Sequence, residues 1–220
     1  MEKFLGVLFC GGKGKRLGEI TKYISKSFIP IYNKPAFKYG LNLLQNSKIV
    51  DEIIILTNKD NDQIIKKEGY KTIIQNDRYV SDMFSGWEFI KKKTGTKKNG
   101  VLVPSDNVSD IKVDELIKKF ISEYVELVFS ITKIDDVPKL SQMGVYDLDM
   151  KKFSYKPKKP ASKYGVIAPY IISNKLNCVD GENVLNHKNS SFLKCSSFWF
   201  DIGDIESLLN ASIYISKRKI

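Results

Sequence analysis

Short runs of apolar residues, many of them β-branched, recur through the first 131 residues of the chain. Each run is nearly continuous, which is typical of strands that are buried on both faces of a parallel sheet. We therefore predict strands at Phe4–Cys10, Ile53–Thr57, Thr72–Gln75, Val101–Pro104 and Leu127–Ile131.

Segments with helical spacing lie between these strands. Their apolar residues share one face of each predicted helix, namely Phe37, Leu41 and Leu44 in the first, Met83, Trp87 and Ile90 in the second, and Val113, Ile117, Phe120 and Tyr124 in the third. Strands that alternate with helices predict right-handed crossovers and a mostly parallel sheet. The expected fold class is therefore α/β.

The pattern changes to shorter, mixed elements after about residue 135. Antiparallel strands are expected around residues 143–155 and 164–173, and a closing helix is expected to begin after Asp204 as its N-cap. The chain shows no internal repeat, low-complexity tract or long linker. We expect a single domain over residues 1–220.

A glycine-rich loop, GGKGKRLG, follows the first predicted strand. A dinucleotide-binding turn would read G-x-G-x-x-G, but its third position is Leu17 here. A P-loop would need glycine at Phe9 and Ser or Thr at Arg16, so that pattern also fails. Two interpretations remain open at this point. The loop either approaches a phosphate closely with a basic flank, or it is a tight turn with incidental basic residues.

The composition of the chain limits which partners it can be expected to bind and in which cellular compartment it is expected. The net charge of +11 and the pI of about 9.3 favour anionic ligands. The lysines are spread out and no aromatic residues interleave with a basic strip, so we expect no nucleic-acid partner. No run reaches the roughly 18 apolar residues of a membrane span, so no membrane association is expected either. Three cysteines without CxxC spacing suggest a reducing, cytoplasmic setting. The one histidine, His187, lies in a polar stretch and is expected at the surface.

Longer stretches of the chain resemble a known family. GGKGKRLGEITKYISKSFIPIYNKP resembles the opening of nucleotidyltransferases that join a sugar 1-phosphate to a nucleoside triphosphate, which reads roughly G-G-x-G-T-R-L, T-K and K-x-x-x-P-x-x-x-K-P. VLVPSDN resembles their segment L-x-x-G-D-N, and FWFDIGDIESLLNAS resembles W-x-D-T-G-x-x-x-S-L-x-x-A. MGVYDLDMKKFSYKP resembles Y-G-V followed by E-K-P. The pattern is most similar to the glucose-1-phosphate thymidylyltransferases, and the matching segments span almost the whole chain in order.

The resemblance implies a Rossmann-like, mixed and mostly parallel sheet with helices on both faces. It also implies roles for individual residues. Nucleotide binding would fall to Gly11, Gly12, Gly14 and Gln75, catalysis to Arg16, Lys26 and Asp106, Mg²⁺ binding to Asp106 and Asp201, sugar-phosphate binding to Lys156, and the acceptor pocket to Gly144 and Tyr155. The implied partners are a nucleoside triphosphate and a phosphorylated small molecule, and a homo-oligomer is possible.

Elementary chemistry agrees with this assignment. A phosphate oxygen is already a nucleophile, so joining two phosphates needs charge neutralisation and in-line positioning rather than a protein base. Mg²⁺ binds through one or two carboxylates plus phosphate oxygens. Asp106 follows the predicted strand Val101–Pro104, at the strand end where open α/β sheets bind ligands.

Several positions depart from the family pattern. The loop threonine is Lys15, the glutamate of Glu-Lys-Pro is Tyr155, and a Thr-Gly pair is replaced at residues 167–168. Because a tyrosine cannot bond two sugar hydroxyls as a carboxylate can, we expect glucose 1-phosphate to be a poor acceptor. The alternative is that a neighbouring acid, Asp147 or Asp149, replaces the missing carboxylate.

Two other functions stay open. IIQNDRYVSDMFSGW loosely resembles a stretch of the short cytidylyltransferases that act on phosphorylated alcohols other than sugars. The chain could instead be a noncatalytic relative that binds nucleotide sugars and regulates a partner. A relative that has lost its catalytic activity has no need to keep Arg16, Lys26, Asp106 and Asp201 together. These four residues therefore distinguish an enzyme from a noncatalytic binding protein.

Overall fold

A computed structural model of the chain describes residues 2–178, 180–196 and 198–218. Its strands are β1 (Phe4–Cys10), β2 (Pro30–Ile31), β3 (Lys34–Pro35), β4 (Val50–Thr57), β5 (Thr72–Ile74), β6 (Asn99–Pro104), β7 (Asn107–Ser109), β8 (Leu127–Lys133), β9 (Gly144–Asp147), β10 (Lys152–Tyr155), β11 (Tyr164–Ile172), β12 (Ser190–Lys194) and β13 (Trp199–Asp201). Its helices are α1 (Ala36–Gln45), α2 (Lys59–Lys67), α3 (Met83–Thr94), α4 (Val113–Ser122), α5 (Val137–Leu140), α6 (Gly181–Leu185) and α7 (Ile205–Arg218). Two 3₁₀ helices cover Lys15–Lys22 and Lys26–Phe28.

A nine-stranded sheet forms the centre of the molecule, in the order β10-β9-β11-β6-β1-β4-β5, with β8 on the other edge of β11 and β12 beside β8. The strands β6, β1, β4 and β5 are parallel neighbours. Within this sheet, β10 and β11 run opposite to the remaining strands. The predicted mixed, mostly parallel sheet is therefore confirmed, and so are the antiparallel elements expected after residue 135.

Helices cover both faces of the sheet, as predicted. The apolar faces of α3 and α6 pack on one side, where the largest side chain is the fully buried Trp87. The faces of α1 and α4 pack on the other side through residues such as Phe37 and Ile117. The closing helix α7 begins after Asp204, whose side chain accepts a hydrogen bond from the N–H of Ser207 at 2.8 Å, which confirms the predicted N-cap.

A smaller layer lies against the main sheet. β7 pairs with β13 and β2 pairs with β3, both antiparallel, and α7 packs on them around buried residues such as Ile31 and Ile202. The pairing of β7 with β13 matters for function, because it brings the segment after β6 beside a segment almost a hundred residues later in the chain.

Two local expectations differ from the structure. Tyr124 does not extend the buried face of α4, because the helix ends at Ser122 and Tyr124 has a positive φ of 54° and is 88% exposed. The helix α2 was not expected, because a single apolar residue, Ile65, is buried among its polar residues.

Candidate active site

The glycine-rich loop lies at the carboxyl end of β1 and leads into the first 3₁₀ helix. Gly14 has a φ of 60°, a left-handed conformation that glycine adopts at little cost. Leu17 is buried and anchors the loop, while the basic side chains around it are exposed. Among the described residues, the backbone N–H groups of residues 12–15 donate to no backbone carbonyl. Free N–H groups beside basic side chains form a setting that suits an anion.

Lys26 is held at the base of this loop by its neighbours. Ser25 Oγ accepts a hydrogen bond from Asn61 Nδ2 at 3.0 Å, and Ser27 Oγ donates to the carbonyl of Cys10 at 3.3 Å. Asn61 Nδ2 also donates to the Cys10 carbonyl, at 2.8 Å. These bonds tie the Lys26 segment to the ends of β1 and α2. The Lys26 side chain is 9% exposed, so its ammonium group needs a charged partner.

That partner is Asp106, which follows β6. Lys26 Nζ donates to Asp106 Oδ2 at 2.5 Å and lies 4.0 Å from Asp201 Oδ1. The two aspartates meet because β7 and β13 pair, with the N–H of Ile202 bonded to the Asp106 carbonyl at 2.8 Å. Arg16 completes the group, with its Nη2 atom 3.5 Å from Asp201 Oδ2. We call Arg16, Lys26, Asp106 and Asp201 the charged cluster.

The charged cluster contains two acidic and two basic side chains. Its two carboxylates nevertheless repel each other when both are ionised. Burial of Asp201 and the negative charge of Asp106 raise the pKa of the Asp201 carboxyl above its ordinary value, against the opposing effects of Lys26 and Arg16. A bound cation would relieve this repulsion. Two carboxylates that share one opening suit Mg²⁺, which takes its remaining ligands from water and phosphate oxygens. The described residues contain no group of three or more His, Cys, Asp or Glu side chains that could hold a metal ion.

Gln75, at the carboxyl end of β5, lies directly against Gly11. A β-carbon on Gly11 would come within 1.9 Å of Gln75 Oε1, so any larger residue would displace that amide. Gly12, by contrast, faces open space. Asp77 accepts a hydrogen bond from Gln75 Nε2 at 2.9 Å and pairs with Lys13 at 3.2 Å, which joins the loop to the segment after β5.

A groove begins at this part of the loop. Its volume is about 2230 Å³, and it runs beside the edge strand β5 between α2 and α3. Gly11, Gly12 and Gln75 line one part of it, whereas none of the four residues of the charged cluster does. The groove and the charged cluster therefore both adjoin the glycine-rich loop but share no residue.

The residues expected at the acceptor pocket lie on the β9–β10 hairpin. Gly144 and Tyr155 are cross-strand partners, and Tyr155 is 61% exposed. Lys156 follows with a positive φ of 45°, and its Nζ lies 5.0 Å from the centre of the Tyr155 ring. Within the described residues, no hydrogen bond or ion pair joins this hairpin group to the charged cluster.

The hairpin also carries the acids that could replace the carboxylate missing at Tyr155. Asp147 pairs with Lys152 at the turn end, three residues along the strand from Gly144, which corresponds to roughly 10 Å. Its carboxylate accepts the N–H groups of Asp149 and Met150 and so caps the turn. Asp147 therefore lies far along the hairpin from Tyr155.

A comparison against protein families agrees with the fold. A family model described as nucleotidyl transferase matches residues 5–184. The chain belongs to the nucleotidyl transferase family. The match covers the glycine-rich loop, Lys26, Asp106 and the β9–β10 hairpin, while Asp201 lies beyond it.

Individual proteins match this chain in two ways. The glucose-1-phosphate thymidylyltransferase of Neisseria meningitidis is 24% identical over an alignment that covers 96% of this chain and 82% of that protein. The 2-C-methyl-D-erythritol 4-phosphate cytidylyltransferase of Clostridium perfringens is 41% identical over 68 residues, which cover 31% of this chain and only 29% of that protein. A solved structure of a candidate glucose-1-phosphate thymidylyltransferase from Bacillus anthracis superimposes with a TM-score of 0.81 at 19% identity, covering 96% of this chain and 94% of that one.

Several residues at the site were not singled out from the sequence. Asn61, Ser27 and Ser105 position the Lys26 segment, and Asn107 and Trp199 contact the region of Asp106. Asn107 and Trp199 stand inside the segments VLVPSDN and FWFDIGD that flank the two aspartates, which is the signal that points to them.

His187 and the Cys10 thiol do not belong to the charged cluster. His187 is only partly exposed rather than fully at the surface, and its Nε2 lies 2.9 Å from Glu126 Oε2. Burial raises the pKa of the Cys10 thiol to about 12, which leaves it protonated. No helix among residues 2–178, 180–196 and 198–218 has the length and apolar character needed to cross a membrane.

Proposed function

We propose that the chain is a metal-dependent nucleotidyltransferase that joins a nucleoside triphosphate to a sugar 1-phosphate and releases pyrophosphate. The observation that carries the proposal is the charged cluster. Arg16, Lys26, Asp106 and Asp201 come from four separate segments and meet within 4.0 Å contacts beside the glycine-rich loop. A binding module that had lost catalysis would gain nothing from an acid whose pKa is raised by burial and by a second acid beside it.

In the proposed reaction, an oxygen of the acceptor phosphate attacks the α-phosphorus of the triphosphate. A new P–O bond forms, the bond between the α-phosphorus and its bridging oxygen breaks, and the electron pair leaves with pyrophosphate. No proton has to be removed from the nucleophile, so the absence of a histidine contact with the charged cluster is no obstacle. The chain has only to align the reactants and offset their charge.

The residues divide these tasks by position. The free N–H groups of residues 12–15 would contact the triphosphate, and Arg16 would bind its β- and γ-phosphates and stabilise the departing pyrophosphate. Asp106 and Asp201 would hold Mg²⁺, which offsets phosphate charge when bound. Lys26, nearly buried beside both, would donate to a phosphate oxygen and offset part of the negative charge of the two acids.

Gly11, Gly12 and Gln75 would face the nucleotide base, because they line the groove, which has room for a large group and includes no residue of the charged cluster. Lys156 would bind the acceptor phosphate, and Gly144 and Tyr155 would line the acceptor pocket. Tyr155 presents a large, exposed ring in place of a carboxylate. Because Asp147 and Asp149 both lie at the far turn of the hairpin, away from Tyr155, we expect an acceptor with fewer hydroxyl groups than glucose, such as a deoxy or amino sugar.

A second candidate is a cytidylyltransferase for a phosphorylated alcohol that is not a sugar. The 41% identity over 68 residues with an enzyme named for 2-C-methyl-D-erythritol 4-phosphate favours it locally. The charged cluster would serve this reaction equally well, because both reactions share the same bond changes. The two candidates differ in the base and the acceptor, and a substrate screen separates them.

The test is a grid of CTP, UTP, dTTP, GTP and ATP against sugar 1-phosphates and small phosphorylated alcohols, with Mg²⁺, read by pyrophosphate release. We expect release with one nucleotide and a small set of acceptors. An acceptor without a ring would select the second candidate. Binding of a nucleotide sugar with no release in any well of the grid would reject both and leave the regulatory, noncatalytic alternative.

A further inference from the structure

A chain of hydrogen bonds leads from the interior to Asp106. Asp106 Oδ2 accepts from Lys26, and Asp106 Oδ1 accepts from Asn107 Nδ2 at 3.1 Å. Asn107 Oδ1 in turn accepts from Trp199 Nε1 at 2.8 Å. An indole N–H can only donate, so Trp199 determines which end of the Asn107 amide faces Asp106.

Trp199 is itself held in place. It lies in β13 opposite Ser109 of β7, and its ring packs against the core on the α1 and α4 side of the sheet. Lys139 of α5 covers the ring, with its Nζ 5.4 Å from the ring centre. The indole N–H of Trp199 therefore points in a fixed direction. It fixes the orientation of the Asn107 amide, and the amide in turn fixes the orientation of the Asp106 carboxylate.

We propose that Trp199, acting through Asn107, is a positioning residue that orients the Asp106 carboxylate for metal binding. The inference rests on the proposed function, since it assigns a metal to Asp106. We call the hydrogen-bonded path from Trp199 through Asn107 to Asp106 the relay. With the relay intact, one oxygen of Asp106 is held by Asn107 and the other points toward Lys26 and the opening of the charged cluster. Without the indole N–H, the Asn107 amide can turn its oxygen toward Asp106, which would repel the carboxylate and disorder it.

The variant that tests the relay is Trp199→Phe, which keeps a packed ring under Lys139 and removes the donor. The chain supplies a matched control. Its other tryptophan, Trp87, is fully buried and its Nε1 has no hydrogen-bond partner among the described residues, so Trp87→Phe removes an indole N–H without breaking a relay.

The readout is Mn²⁺ binding without nucleotide, measured from the free-ion signal in electron paramagnetic resonance. Loss of a group that orients a metal ligand typically weakens affinity by about 10–100-fold, and we expect an effect in that range for Trp199→Phe. Trp87→Phe should bind Mn²⁺ like the wild type. Asn107→Ala should match Trp199→Phe, and the double variant should lose no more than either alone, because both changes break the same relay.

A second readout needs no catalysis. In Trp87→Phe, Trp199 is the sole tryptophan, so Mn²⁺ should quench or shift its fluorescence, and Asn107→Ala on that background should remove the response. Folding of each variant is checked by thermal unfolding in EDTA. Equal Mn²⁺ affinity of Trp199→Phe and the wild type would overturn the relay, and so would equal weakening by Trp87→Phe. A wild type that binds no Mn²⁺ would instead reject the metal assignment in the proposed function.

Discussion

Asp106→Asn changes one charge in the charged cluster and almost nothing of its shape. Lys26 Nζ lies 2.5 Å from Asp106 and 4.0 Å from Asp201, and the Lys26 side chain is 9% exposed. The substitution therefore leaves a nearly buried ammonium group with only its more distant partner. It also removes one of two carboxylates available to a metal ion.

The two consequences have different sizes. Two unit charges 4 Å apart interact by about 4 kcal/mol at an effective dielectric constant of about 20. Because Asp201 keeps part of this interaction, the loss of unfolding free energy should stay below the about 3–5 kcal/mol seen when a buried pair is broken. Turnover should fall by at least about 100-fold, or about 2.7 kcal/mol, since preorganised charge at a phosphoryl group commonly has that effect.

The assay compares kcat for pyrophosphate release with Mg²⁺ and the thermal stability in EDTA. Asp62→Asn is the control, because Asp62 is 6% exposed and accepts from Lys66 at 2.8 Å in α2, outside the charged cluster. It should lower stability and leave turnover unchanged. A well-folded Asp106→Asn protein with undiminished kcat would refute the reasoning, as would full activity of the wild type in EDTA.

Four further outcomes are expected. Arg16→Ala should lower kcat more than it raises KM for the triphosphate, because its charge is best used on the leaving pyrophosphate; a change confined to KM would contradict this. Lys156→Ala should weaken acceptor binding and spare the triphosphate, and equal loss of both in calorimetry would reject that division. Glucose 1-phosphate should be used poorly because of Tyr155; a kcat/KM within the usual range of about 10⁴–10⁸ M⁻¹s⁻¹ would show the substrate argument to be wrong. Because the pKa of Asp201 is raised in the folded protein, ionisation of this carboxyl lowers the free energy of unfolding of the metal-free protein. This loss is absent below the ordinary pKa of 3.8 and complete above the raised pKa. In EDTA, Asp201→Asn should therefore unfold at a higher temperature than the wild type at neutral pH, with the gap closing in acid, and a less stable variant at neutral pH would refute it.

The sequence predicted the parts of the fold whose burial is complete. β1 and the Val101–Val103 stretch of β6 are buried on both faces, so their residues form nearly continuous apolar runs that the sequence shows clearly. The helix α2 was not predicted, because it buries polar residues as well as an apolar one. Asn61, for example, is buried and donates hydrogen bonds to the Cys10 carbonyl and to Ser25 Oγ. Periodicity cannot register a helix that buries polar groups.

The charged cluster was accessible from the sequence only through resemblance. Nothing in the spacing of Lys26, Asp106 and Asp201 says that they meet, because their contact depends on the pairing of β7 with β13. The segments around the two aspartates point to Asn107 and Trp199, but the hydrogen bonds that join these residues to Asp106 could not be predicted, for the same reason. It requires a strand register and the direction of an indole N–H, and neither leaves a pattern along the chain.

The central claim is that the charged cluster transfers a nucleotidyl group. The most direct measurement follows pyrophosphate and the nucleotide-linked product together, by phosphate assay and mass spectrometry, for the best pair in the substrate grid. The account predicts equal amounts of both products, formed only when triphosphate, phosphorylated acceptor and Mg²⁺ are all present, and their loss in Asp106→Asn. Pyrophosphate formed without an acceptor, or a nucleotide-linked product that Asp106→Asn still makes at the wild-type rate, would contradict it.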